Sequence, residues 1–171
     1  MFRSIRRPLV VGVAIASIVP VGVATAAPCW RPPVTAAVTD PFRQPECRWC
    51  AGNRGIEYGT PPDSPVSAIA TGRVSYAGTI AGVGYLVVRL ASGWRVTYGN
   101  LSANHRVGDL VIRGSVVGVT AGRFHLGLRD GEEYIDPAPY LGRLASRPRL
   151  IPTDGSRANP SGPRRLTCAR A

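Results

Sequence analysis

The segment "GYLVVRLASGWRVTYGNL", residues 84–101, decides the fold class. Apolar residues dominate on both sides of Ala91-Ser92-Gly93. The segment reads as a hairpin, Tyr85–Leu90 and Trp94–Leu101, closed by a glycine-containing turn. The same grammar extends outward. "SPVSAIATGRVSYAGTI" (64–80) reads as a strand, a turn at Gly72 and an alternating strand. "VGDLVIRGSVVGVTAG" (107–122) gives two short strands about Arg113-Gly114, and "RFHLGLRDGEEYIDP" (123–137) gives a strand, a turn at Asp130-Gly131 and a short return. No stretch carries a long 3.6-residue period; one helical turn is expected after Pro137. The expectation is an all-β, mostly antiparallel two-sheet sandwich or roll with little helix.

The ends have a different character. "MFRSIRRPLVVGVAIASIVPVGVATAAP" has Arg3, Arg6 and Arg7, an apolar run from Leu9 to Val23, and the small-x-small site Ala24-Thr25-Ala26. These are the parts of a secretory leader, and the run is short against the about 20 residues that span a membrane. The chain therefore divides into a signal peptide (1–26), a Pro/Arg-rich extended lead-in (27–54) with "TDPFR" as a turn, a β domain (55–142) and a basic, Pro-rich tail (143–171). Its expected place is secreted or in the cell envelope. All the cations except the two histidines are arginine, and the formal net charge is +11. The tail holds Arg143, Arg147, Arg149, Arg157, Arg164, Arg165 and Arg170 against Asp154 alone. Such a tail reads as a solvated extension that can touch anionic wall polymer or a membrane surface. No base-stacking motif supports nucleic-acid binding.

Four cysteines, Cys29, Cys47, Cys50 and Cys168, allow three pairings. An even count in an exported chain favours disulfides. The favoured pairing is Cys47–Cys50 as a local clip and Cys29–Cys168 as a tie between the ends. "CRWC" lacks both the helix start of a redox motif and the second pair of a zinc ribbon.

Taken in order, several segments resemble the LytM/lysostaphin-type zinc metallopeptidases, which cut peptide cross-bridges in peptidoglycan. They are "GIE" at 55–57, "SPVSAIATGRVSYAG", "GYLVVRL", "VTYGNL", "VGDLVIRGSVVG" and "RFHLGLRDGEEYIDPAPYL". The match runs from about Val34 to Leu141 and includes a framework of Gly108, Val111, Gly114 and Gly118. The resemblance implies a groove across the sheet with the family's site at its floor.

The site itself departs from the family. H-x-x-x-D is replaced by "NRGIE", so Asn53 and Glu57 stand at two metal-ligand positions. Y-x-H-L becomes Tyr98-Gly99-Asn100-Leu101, and H-x-H becomes Arg123-Phe124-His125. His125 matches a zinc ligand; Asn100 and Arg123 occupy catalytic positions. A catalytic zinc wants about three protein ligands and an open position for water. Arg123 cannot ligate, and at about 5 Å its charge repels Zn²⁺ by about 6–7 kcal/mol at an effective dielectric of about 20. No cofactor is expected on this reading. Residues two apart on a strand share a face, so Arg123 and His125 are expected to meet Glu57 there. A Glu57–Arg123 pair would replace the metal, and His125 and Asn53 would complete a hydrogen-bonded cluster.

The resulting expectation is a LytM-like module that has lost endopeptidase activity and binds peptidoglycan or regulates a cell-wall hydrolase. The alternative is an active zinc metalloendopeptidase with an atypical ligand set. Tyr58, Tyr85, Trp94 and Tyr98 are candidates either for the groove or for the core. His105 reads as an exposed loop residue, and Asp136-Pro137 as a structural turn.

Overall fold

The structure, a computed structural model, describes residues 28–145, 153, 156 and 165–168. The expected leader and most of the tail lie outside these residues. In chain order the strands are β1 (Val38–Asp40), β2 (Gly55–Tyr58), β3 (Pro62–Ser67), β4 (Gly72–Ile80), β5 (Val83–Leu90), β6 (Arg95–Ala103), β7 (Leu110–Val111), β8 (Val116–Asp130), β9 (Glu133–Ile135), β10 (Arg143–Ala145) and β11 (Arg165–Thr167). A 3-10 turn at Ala138–Tyr140 is the one helical element among the described residues. It follows Pro137, as expected, and Asp136 Oδ1 accepts the Ala138 N–H at 2.9 Å.

Nine strands join in one antiparallel sheet, ordered β1-β2-β8-β6-β5-β4-β7, with β3 and β9 also paired to β8. The hairpin forms as read, with Leu86 opposite Tyr98 and Val88 opposite Val96. Its turn is closed by the Gly93 N–H donating to Leu90 O at 3.0 Å, with Gly93 at φ +93°. This is the three-residue loop in which a left-handed position favours glycine. Ile56, Tyr58, Val74, Leu86, Val88, Val96, Tyr98, Phe124, Leu126 and Leu128 are all buried on one face. The Tyr98 hydroxyl, inside that core, accepts the Ile69 N–H at 3.0 Å and ties the Ala68–Ala70 loop over it. Burial raises the Tyr98 phenol well above its ordinary pKa and pushes the Tyr58 phenol up to about 12.

Three features depart from the sequence reading. The segments 116–122 and 123–130, expected as separate strands, form a single 15-residue β8. Gly122, at φ +116°, lets the strand kink without breaking its pairing. The flanking hydroxyls support the kink: Thr60 donates to Gly122 O, and Thr120 donates to Pro61 O at 2.8 Å. Second, the lead-in is structural. Val38–Asp40 of "VTDPFR" pairs with β2 as β1, and Trp30 and Val34 are buried in the core. Trp30 packs against Trp94 and Tyr140 at centroid distances of 6.2 and 5.9 Å, a contact no local pattern announces. Third, the tail is not a purely solvated extension, because its described parts fold back. β10 and β11 form an antiparallel ribbon beside the Cys29–Cys168 disulfide, which spans 139 residues of sequence. In the chain-entropy picture a loop of that length restrains the unfolded chain by about 5 kcal/mol. Cys47–Cys50 forms the second disulfide, and both are the pairs favoured from sequence.

Candidate functional site

The face of the sheet opposite the core is a groove of about 680 Å³. Period-two alternation puts Arg123, His125, Gly127 and Arg129 of β8 on this face, while Phe124, Leu126 and Leu128 point into the core. Glu57 on β2 stands directly opposite His125, whose other neighbour is Gly99 on β6, which in turn pairs with Tyr85 on β5. Glycine at 99 is required by space. A Cβ there would lie 2.9 Å from the Tyr85 ring and 3.1 Å from His125 Cβ. Gly55 is needed for the same reason, since a Cβ would meet Leu126 O at 2.4 Å and His125 Cε1 at 2.6 Å.

Glu57 is the centre of the site and is only 14% exposed. Its Oε1 lies 2.7 Å from His125 Nδ1, a close part-buried hydrogen bond. Its Oε2 lies 3.6 Å from Arg123 Nε, an ion-pair contact beyond hydrogen-bond length. The Glu57–Arg123 pairing expected from sequence is therefore present, but His125 is the tighter partner. Arg123 is 71% exposed and keeps its guanidinium largely in solvent.

Asn53 does not join the cluster in the way expected. It is buried, and its amide donates to the carbonyls of Asp40 (3.3 Å) and Pro41 (3.1 Å). A backbone bridge between Arg43 and Asn53 holds it against the lead-in. The physical reason is β1: once that segment pairs with β2, its end offers carbonyl acceptors beside Asn53, and a buried amide takes them. Asn100 lines the groove but serves the backbone. It sits at φ +58° in a break of the β6–β8 register, and its amide donates to Arg123 O. Asparagine tolerates that conformation better than most residues.

Sequence reasoning missed Arg54, Tyr76, Arg129 and Tyr134, all of which line the groove. Arg129 was legible as the next outward position after His125 and Gly127. Tyr134 depends on β9 folding back, where its ring meets the guanidinium groups of Arg129 (4.9 Å) and Arg54 (5.5 Å). Of the four aromatic candidates, Tyr85 lines the groove, Tyr58 and Tyr98 fill the core, and Trp94 packs on Trp30 and Tyr140. His105 lies in the loop after β6, its Nδ1 2.6 Å from Asn104 Oδ1. In the "CRWC" clip, Trp49 is 85% exposed and Arg54 donates to Arg48 O at 2.8 Å.

The donor set does not fit a catalytic zinc. Glu57 and His125 are the two candidate ligands, and one donor atom of each, Glu57 Oε1 and His125 Nδ1, is taken up by the other. The other carboxylate oxygen faces a permanent cation. Among the described residues no three His, Cys, Asp or Glu side chains converge as a metal needs.

The comparisons agree with the architecture. Residues 51–137 match the profile of Peptidase family M23, and the chain belongs to that family. The uncharacterized protein Rv2891 of Mycobacterium tuberculosis is 32% identical over 136 residues, covering 71% of this chain and 53% of that protein. This chain thus spans about half the length of that relative. Among solved structures, Helicobacter pylori Csd3 superposes with a TM-score of 0.59 at 23% identity, covering 75% of this chain and 38% of that one. A chain of the SpoIIQ–SpoIIIAH pore-forming complex gives 0.59 at 19%, covering 68% and 92%. At these identities the structural likenesses speak for the fold.

Proposed function

We propose that this protein is an exported, non-catalytic M23 module that uses the family groove to bind a peptidoglycan peptide or a cell-wall hydrolase. One observation supports the reading: Glu57, at a position where the family carries a metal ligand, is hydrogen-bonded to His125 and faces the Arg123 cation. Asn100 and Arg123, at the family's catalytic positions, leave no imidazole there to move a proton or steady a tetrahedral intermediate. The groove remains open and is walled by Tyr76, Tyr85 and Tyr134, a surface suited to holding a ligand without transforming it. The two disulfides and the leader-like N-terminus support an extracytoplasmic setting. The SpoIIQ–SpoIIIAH neighbour, solved as a complex between proteins, supports a partner-binding use of this fold.

Metal analysis and wall assays test this together. The purified protein is expected to hold no zinc after dialysis against zinc-containing buffer, to leave cross-linked peptidoglycan uncut, and to be retained by insoluble wall or by a wall hydrolase. Zinc near stoichiometry that EDTA strips, with EDTA-sensitive cleavage, would establish the endopeptidase instead.

A further inference from the structure

From Arg129, at the edge of the groove, a row of arginines runs outward along the same open face, away from Glu57 and His125. Arg129 on β8 stands opposite Arg95 on β6, Arg95 opposite Arg89 on β5, and Arg89 opposite Arg73 on β4. The residues beside them, Leu128, Val96, Val88 and Val74, are buried in the core, so all four arginines project from the outer face. Neighbouring strands lie about 4.8 Å apart, so the row runs about 14 Å straight across four strands. Like charges directly opposite one another oppose sheet pairing, so the row costs stability rather than adding to it. A single acid answers it among the described residues: Glu132 takes Arg95 at 3.2 Å and Arg129 at 2.8 Å and is itself 84% exposed. Arg73 donates to Gly108 O at 3.0 Å, a neutral partner that leaves its charge uncompensated. The Arg89 side chain makes no hydrogen bond or ion pair among the described residues. Arg129 Nε is buried without a partner among them.

We propose that this arginine row is a docking site for a linear acidic polysaccharide, whose carboxylates lie along the row while its sugar rings rest on the adjoining floor. Three points favour that ligand. The site is a line rather than a broad patch, which suits a strand more than a flat bilayer. Each planar guanidinium can take a carboxylate through two parallel N–H bonds. The next row inward is Thr97, Val87 and Tyr76, a hydroxyl, an apolar surface and an aromatic ring that suit sugar rings better than a bare phosphate chain.

The full-length protein is titrated with polygalacturonate by fluorescence anisotropy at several salt concentrations. Arg89→Gln and Arg73→Gln are each expected to weaken binding by up to about fivefold and to lower the salt slope by about one charge. Thermal stability is expected to be unchanged or slightly raised, since a like-charge opposition is removed. Arg31→Gln, outside the row, is expected to bind as the wild type does. The proposal is overturned if the two row variants bind like wild type, or if Arg31→Gln loses as much as they do. It is equally overturned if polyphosphate or anionic phospholipid vesicles bind with the same affinity and the same dependence on the row. Arg73 and Arg89 stand outside the groove lining, and retention of their variants on insoluble peptidoglycan is a separate measurement, so either reading can fail while the other stands.

Discussion

Glu57→Gln and Arg123→Gln, made singly and together, probe what holds the Glu57 carboxylate in the groove. At 3.6 Å in a water-like dielectric the Arg123–Glu57 attraction is about 1 kcal/mol. Ordering a long side chain that is 71% exposed offsets part of that, so Arg123→Gln should cost about 0.2–1 kcal/mol. The His125–Glu57 contact is different. At 2.7 Å, between groups 23% and 14% exposed, it is a hydrogen bond to a charged acceptor, a class worth about 1.5–3 kcal/mol. The amide of Glu57→Gln keeps the shape and one weaker hydrogen bond, so this substitution should cost about 1–2 kcal/mol. Urea denaturation with disulfides intact reads both values, provided the m-value is unchanged. The double mutant isolates the ion pair, whose coupling should stay under about 1 kcal/mol and shrink as salt is added. The salt-insensitive remainder belongs to His125. An Arg123→Gln cost equal to or above that of Glu57→Gln would refute this account, because the arginine would then be the main support of the pocket.

Three further outcomes follow from the fold. Tyr98→Phe strips the buried Ile69 N–H of its acceptor and should lower stability by about 1–3 kcal/mol, measured by denaturant melts. Tyr58 and Tyr98 have folded pKa values raised by burial, so near pH 10 to 12 the unfolded chain releases protons that the folded one keeps. Their stabilisation is complete below about pH 10 and is lost as pH rises, by about 1.4 kcal/mol per pH unit for each tyrosine, a trend that pH-dependent thermal melts would miss only if these rings were solvated. Replacing Cys29 and Cys168 together by serine should lower the unfolding free energy by up to about 5 kcal/mol, whereas opening the short Cys47–Cys50 clip should cost far less; equal losses would mean that the long tie does not restrain the unfolded chain.

What could be read along the chain was whatever depends on a short period or a local turn. The two-residue spacing put Arg123 and His125 on one face, and the turn residues made 84–101 a hairpin around Gly93, whereas the split of Leu86 and Val88 from Tyr85 and Val87 across the sheet emerged only on folding. Spacing could not show that 116–130 is one strand, because a kink at a glycine and a turn at a glycine look alike in sequence. It missed β1, whose residues Val38 to Asp40 have no apolar alternation and pair only because β2 presents an open edge. Asn53 was assigned to the site by position in a motif, but a side chain follows the nearest unsatisfied carbonyls, and those came from the lead-in.

Glu57 and His125 are 68 residues apart, and only the β2–β8 register makes them partners. The arginine row is the same kind of fact, since Arg73, Arg89, Arg95 and Arg129 line up only when four strands fall into register. The amino-acid order determined which residues share a face, because that is a property of one strand. Which residues meet across strands was decided by the tertiary structure, because register is set by turn lengths, glycine kinks and the burial of the opposite face.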